Sequence, residues 1–358
     1  MRVLIAAGGT GGHIYPGIAV AQEIMRRNAS SKVRFVGTAR GLENRLVPQA
    51  GFELSLIESS GLKNVSSMAR MKGILVLPKS FTSALSVIRE FKPDVVVGAG
   101  GYVSGPVVMM AALMRRPTLV MDSNALPGWT NRMLARFVDR AAVSFDQALP
   151  FFRGKGVVTG NPVRREFFEI PPKQRDASRF SLLVFGGSQG ARAINEAIVA
   201  ALPQLKASPV RLRIKHQTGP ADFEKVKAAY DGMGWNDDAE VRSYIDNMVD
   251  DFAQADLVVC RAGATTTAEL IAAGKASVMI PFPLAADDHQ RKNAEALESS
   301  GAAKMILQKD LTADGLGKAI IELAEHPETI DEMEVAIRKL QRSDAAVAAV
   351  DLIEELAK

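Results

Sequence analysis

A chain of 358 residues exceeds what one hydrophobic core usually holds, so two domains are expected. With 47% hydrophobic and 23% charged residues the composition is that of an ordinary globular protein, and the single cysteine, Cys260, excludes an internal disulfide. The formal net charge of +4 is compatible with an anionic partner without selecting one; aromatics at 6%, not interleaved with basic residues, argue against nucleic acid.

The chain opens on an apolar run at 2–7, the signature of a buried strand, too short for the core of a signal peptide. Gly8-Gly9-Thr10-Gly11-Gly12-His13 follows, then a helical pattern from Ile18. Such a strand–glycine loop–helix joint aims backbone N–H groups and the positive end of a helix dipole at one spot, which suits phosphate. Further strands are expected at 33–36, 94–99, 118–122 and 141–144, with helical stretches between them. That alternation predicts a parallel sheet covered on both faces. A second glycine loop, at 98–106, contains Gly100, Gly101, Tyr102 and Ser104.

Between the two loops, from Val65 to Phe81, Met68, Met71, Ile74, Leu75, Val76 and Leu77 interleave with Arg70, Lys72 and Lys79. Two readings fit: an amphipathic helix with its apolar face on the core, or a segment that seeks an anionic membrane surface. No apolar run approaches the roughly 20 residues of a spanning helix.

Thr159-Gly160-Asn161-Pro162 is a turn signal and divides the chain into an N-terminal domain over 1–162 and a second over 163–340. The opening device then repeats: a strand at 181–185, the loop Gly186-Gly187-Ser188-Gln189-Gly190, and a helix at 192–202. Strands are expected at 212–215, 256–260 and 277–281. A closing segment, 341–358, holds a helix at about 345–357 with no strand after it, expected to pack back on the N-terminal domain. The fold class is α/β, with two similar Rossmann-like parallel-sheet domains facing a cleft.

A nicotinamide dinucleotide needs an acid at the end of the second strand to hold its ribose, and Val36-Gly37-Thr38-Ala39-Arg40 has none. There is no Gly-Lys-Ser/Thr loop, no Asp-x-Asp, and no Cys/His cluster with metal spacing. In the second half, Cys260-Arg261-Ala262-Gly263-Ala264-Thr265-Thr266-Thr267-Ala268-Glu269 follows a strand. Glu269 there either accepts two hydrogen bonds from a vicinal diol such as a ribose or only complements the helix dipole. Asp288-His289-Gln290-Arg291 opens another helix at a strand end, where Gln290 is a candidate for sugar hydroxyls.

Residues 8–17, 98–106, Asn124 with 128–131, 160–164, 186–191, 260–269 and 290–294 together resemble, in order and spacing, the bacterial MurG family of glycosyltransferases, across essentially the whole chain. The resemblance implies a GT-B fold and inverting transfer of GlcNAc from UDP-GlcNAc to the MurNAc 4-hydroxyl of undecaprenyl-linked lipid I, forming lipid II for peptidoglycan. It implies no cofactor and no metal, and a peripheral place on the cytoplasmic face of the bacterial cell membrane, which favours membrane contact for 65–81. For the donor it implies Thr10, Gly11, Gly12, Asn124, Arg164, Ser188, Gln189, Ile245, Ala264, Thr265, Thr266, Glu269 and Gln290; for the acceptor diphosphate, Gly9, Gly12, Gly100, Gly101, Tyr102 and Ser104. His13 is the candidate base, since an ordinary imidazole titrates near neutrality; its other reading is an orienting hydrogen bond. Alternatives are a related transferase with another acceptor, a nucleotide-sugar epimerase, and a nucleotide-sugar binding module. The chain departs from the family pattern at Met121-Asp122-Ser123-Asn124, where His-Glu-Gln-Asn is usual: Asn124 is kept, and any role of that His and Glu is either lost here or passes to Asp122.

Overall fold

The computed structural model describes residues 1–9, 11–39, 41–59, 67–175, 179–187 and 189–358, with the backbone alone over 67–77. Two compact units result: Met1–Val163 with Asp344–Lys358, and Arg164–Ser343.

The first unit runs β1 (Arg2–Ala7), α1 (Gly11–Arg27), β2 (Lys32–Gly37), α2 (Glu43–Gln49), β3 (Glu53–Leu56), α3 (Ser67–Phe91), β4 (Val95–Gly100), α4 (Ser104–Leu113), β5 (Thr118–Asp122), α5 (Trp129–Leu134), β6 (Arg140–Val143) and β7 (Gly156–Val158). Its seven strands are parallel in the order β3-β2-β1-β4-β5-β6-β7. Successive strand residues face opposite sides of a sheet. Thus Val3, Ile5 and Ala7 of β1 pack with Ile14, Val20 and Ile24 of α1, while Leu4 and Ala6 pack with Ala84 and Ile88 of α3 and Val107 of α4. Covering both faces is what makes the central strands uninterrupted apolar runs.

The second unit runs β8 (Arg179–Phe185), α6 (Arg192–Lys206), β9 (Arg211–Gln217), α7 (Phe223–Gly232), β10 (Ala239–Arg242), α8 (Met248–Gln254), β11 (Leu257–Cys260), α9 (Ala264–Ala273), β12 (Ser277–Met279), α10 (His289–Ser299), β13 (Ala303–Met305), α11 (Ala313–Glu325) and α12 (Pro327–Arg338). Its six parallel strands take the order β10-β9-β8-β11-β12-β13, the same winding as the first sheet. In each sheet the order reverses beside the first strand, between β1 and β4 and between β8 and β11. Ligands of doubly wound sheets bind at that switch point, beyond the strands' carboxyl ends.

Four strands go beyond those expected: β3, β7, β10 and β13. All four are sheet edges. An edge strand pairs on one side only and need not be apolar on both faces, so sequences such as ELSL and AEVR carry no buried-strand signal.

The last helix, α13 (Ala345–Leu356), belongs to the first unit: Ala349, Val350, Leu352 and Ile353 join the core formed with α1. Arg27 pins it, donating to Asp351 at 2.7 Å, to Glu354 at 2.9 Å and to the Val347 carbonyl at 3.0 Å, while Glu23 bonds the same guanidinium at 2.9 Å. Arg27→Ala is therefore expected to destabilise the first unit by about 1–3 kcal/mol, read from urea unfolding, and to speed amide exchange in α13.

Candidate active site

The two glycine loops of the first unit end adjacent strands and touch. Gly101 has φ +82°, and a Cβ there would overlap the Gly8 carbonyl, so only glycine allows this approach. His13, in the first turn of α1, lays its imidazole against Gly100, whose own Cβ would overlap the ring. The structure thus brings Gly8, His13, Gly100 and Gly101 together at the switch point, with Gly11 and Gly12 preceding His13 in the first turn of α1.

Three residues expected to cradle the acceptor diphosphate are differently employed. Ser104 is fully buried, and its hydroxyl accepts from the Gly100 N–H at 2.9 Å and donates to the Ala6 carbonyl at 2.8 Å. Its side chain frames the loop and is closed to a ligand, because its position at the start of α4 turns it under β1 and β4. The Gly100 N–H is spent on that contact, and the Gly9 N–H on the Glu43 carboxylate at 3.0 Å. The N–H groups of Gly11, Gly12, Gly101 and Tyr102 have no partner among the described residues. Tyr102 itself is exposed.

Asp122, at the end of β5, is buried and organises the segment that carries Asn124. One carboxylate oxygen accepts from the Asn124 N–H at 3.0 Å; the other accepts from the Gly128 N–H and from Asn131 Nδ2, each at 2.9 Å. Burial pushes its pKa up, and these hydrogen bonds oppose the rise. Asp122 therefore positions the 122–131 loop and is not open to solvent.

In the second unit the loop after β8 repeats the first, with Gly187 at φ +95° where Gly9 has +90°. Gly190, at φ +78°, packs on the Thr218 carbonyl so closely that a Cβ would overlap it. That carbonyl also accepts from Asn195 Nδ2 at 2.9 Å, and Asn195 Oδ1 meets His216 Nε2 at 3.0 Å. His216 also meets the Tyr230 hydroxyl, at 3.2 Å, and burial drives its pKa down to about 3, so the imidazole is neutral. This network props the loop from below. No local motif announces it, since its members lie on α6, β9 and α7.

Helix α9 presents Thr265, Thr266 and Glu269 on a half-buried face, while Thr267, Ala268 and Leu270 face the core. Spacings of three and four put the first three on one side of a helix. The N–H groups of Ala264, Thr265 and Thr266 lie in the first turn, where a helix has no internal acceptors for them. Burial raises the Glu269 pKa to about 7, against the lowering charge of Arg164. The Glu269 carboxylate has no hydrogen-bond partner among the described residues. Arg164 is exposed, its guanidinium 4.9 Å from the Phe167 ring centroid. Ile245 is buried after β10 and gives its N–H to Gln217 Oε1 at 2.8 Å, which leaves its carbonyl. Gln290 Oε1 accepts from the Phe282 N–H at 3.0 Å, fixing the turn before α10 and leaving its amide NH₂. Gln189 is exposed on its loop. Thr10 and Ser188 lie outside the described residues, as do the side chains of 67–77 and all of 60–66.

Comparison with known proteins decides the family. Residues 3–143 match the glycosyltransferase family 28 N-terminal domain and residues 181–349 its C-terminal domain. The crystal structure of MurG from Acinetobacter baumannii is similar over 99% of both chains, with a TM-score of 0.84 and 32% identity. A protein of Geotalea daltonii is 45% identical over 98% of this chain and 96% of its own, and one of Myxococcus xanthus is 47% identical over 99% and 93%. Both bear the name UDP-N-acetylglucosamine–N-acetylmuramyl-(pentapeptide) pyrophosphoryl-undecaprenol N-acetylglucosamine transferase. The chain belongs to the MurG family. Its two sheets are the Rossmann-like domains of a GT-B glycosyltransferase. In this MurG-family chain the Asp122 carboxylate is the one that holds the 122–131 loop, through Gly128 and Asn131. No described helix is long and apolar enough to cross a membrane.

Proposed function

We propose that the chain transfers N-acetylglucosamine from UDP-N-acetylglucosamine to the muramyl 4-hydroxyl of undecaprenyl-linked lipid I, with inversion, forming lipid II. The observation that carries this reading is kinship over nearly the full length of two transferases bearing that name, at 45% and 47% identity. The site's chemistry supports it. The second unit holds the donor: Glu269 accepts from the ribose diol, the Ile245 carbonyl meets the uracil, and Gln290 and Gln189 contact the sugar. The first turn of α9, Arg164 and the 186–190 loop take the charge of the leaving diphosphate. The first unit holds the acceptor diphosphate at Gly12, Gly101 and Tyr102. His13 takes the proton of the attacking hydroxyl as its oxygen bonds to C1 and the C1–O bond to UDP breaks. Asn124, whose N–H is held by Asp122, is a further candidate contact of the donor sugar.

Incubation of the purified protein with UDP-GlcNAc and a short-chain lipid I analogue tests the reading. Formation of the disaccharide product supports it, and no product sinks it. Turnover of UDP-GlcNAc without acceptor would indicate an epimerase instead, and transfer to other acceptors alone a different transferase.

The acceptor's polyprenyl tail places the work at a membrane surface, on the cytoplasmic side where UDP-sugars are, with 65–81 as the contact. Of that segment the described part includes Lys79, which is largely exposed, 3.9 Å from Glu58. Charge reversal of Lys72 and Lys79 to Glu is expected to lower binding to anionic vesicles by about thirtyfold or more, at about 1 kcal/mol per surface cation lost, while sparing turnover of a water-soluble acceptor. Unchanged binding in a flotation assay would remove the segment from the membrane contact.

A further inference from the structure

The turn between β1 and α1 carries an anion of its own. Glu43, first residue of α2, is fully buried. Its Oε2 accepts from the Gly9 N–H at 3.0 Å, and its Oε1 accepts from the Thr38 N–H at 2.8 Å and the Thr38 hydroxyl at 3.0 Å. All three partners donate, so the carboxylate acts as an acceptor at both oxygens. No cation pairs with it among the described residues. Three glycines make room for it, one after β1 and two between the end of β2 and α2. A Cβ at Gly41 would overlap the carboxylate, one at Gly37 would meet its Cγ at 2.5 Å, and one at Gly8 would lie 3.0 Å from Oε1. In dinucleotide-binding units of this winding, the turn after the first strand offers its N–H groups to a pyrophosphate. Here Glu43 claims the Gly9 N–H, and Gly8, whose spacing reads as a phosphate cradle, is a wall of the carboxylate's cell.

We infer that Glu43 is a positioning residue for the acceptor half of the reaction, locking the Gly8–Gly9 turn to the end of β2 so that Gly11, Gly12 and His13 are held against Gly100 and Gly101. The inference rests on the reading of the first unit as the acceptor side. With the Gly9 N–H taken by Glu43, the N–H groups of Gly12, Gly101 and Tyr102 are the ones left for the acceptor's diphosphate.

Glu43→Gln is the test, because it exchanges one oxygen for an NH₂ with almost no change in volume. Whichever way the amide is turned, its NH₂ faces a backbone N–H, of Gly9 or of Thr38, and one contact becomes a clash of donors. With UDP-GlcNAc and a short-chain lipid I analogue, kcat is expected to fall about ten- to a hundredfold, the cost of misplacing a reacting group by about 1 Å. The donor KM should stay within about twofold, because the donor is held by the other unit. Hydrogen exchange of the segment 8–14, followed by mass spectrometry, should quicken about tenfold or more. Unchanged kcat with a lowered Tm would make Glu43 merely structural and overturn the inference. So would a donor KM that rises as much as kcat falls. If the unaltered protein forms no lipid II, the functional reading fails, and unchanged exchange over 8–14 in Glu43→Gln would still overturn the positioning role separately. Should Glu43→Gln not fold, Thr38→Val removes one hydroxyl contact only and is expected to lower kcat about two- to fivefold with the donor KM unchanged; no change in kcat would overturn the inference.

Discussion

Replacing His13 by alanine is expected to lower kcat by roughly 10²–10⁴-fold, the range that a positioned general base supplies. That corresponds to about 3–5 kcal/mol of transition-state stabilisation. The expectation comes from placement. His13 sits in the first turn of α1, its ring packed on Gly100, beside the N–H groups left open at the switch point of the first unit. A hydroxyl bound there needs its proton removed as it attacks. The donor is held by the second unit, so UDP-GlcNAc affinity, measured by calorimetry, should change by less than about twofold. Two variants separate a base from an orienting hydrogen bond. Glutamine keeps a hydrogen-bonding side chain but cannot accept the proton, so a base predicts that His13→Gln is nearly as slow as His13→Ala and loses the acid limb of the kcat profile. A His13→Gln variant that keeps most of the rate would reassign His13 to orientation.

Glu269→Ala is expected to raise the donor KM about ten- to a hundredfold and leave the acceptor KM within about twofold, since hydrogen bonds to a charged group are worth about 1.5–3 kcal/mol. Its pH dependence is a second signature. Burial holds the Glu269 pKa up at about 7. Below that pH the side chain is neutral, and one oxygen becomes a donor that cannot accept from a diol; above it both oxygens accept. Affinity for UDP-GlcNAc should therefore weaken as pH falls through about 7, and Glu269→Gln should remove that dependence. Calorimetric titrations from about pH 5.5 to 8.5 check this without involving turnover. Equal rises in donor and acceptor KM, or a pH-independent donor affinity in the unaltered protein, would take the ribose from Glu269.

The central strands were readable from the chain because their physics is local. A strand buried on both faces carries an uninterrupted apolar run, as Val3–Ala7 of β1, Val95–Val97 of β4 and Leu182–Phe185 of β8 do. The glycine loops were readable for a similar reason: a positive φ and a backbone-to-backbone approach admit few residues, and Gly101 and Gly190 meet both conditions. The edge strands β3, β7, β10 and β13 were not readable, because their pairing depends on a neighbour and their composition on partial exposure.

What the sequence by itself determined was the two-fold repetition of strand, glycine loop and helix, the division near Pro162, and the family. Each rests on residues close together in the chain or on motifs in a recurring order. Which groups those loops present was decided only by the tertiary structure. Glu43 lies 34 residues from the glycine whose N–H it takes. Ser104 is turned away from any ligand by the strands above it. The buried His216 network joins three elements. Helix α13, last in the chain, is tied to the unit that begins it through Arg27. In each case the deciding contact is a hydrogen bond or packing between segments whose separation in sequence carries no trace of their meeting, because side-chain polarity specifies that a partner is needed but not where it comes from.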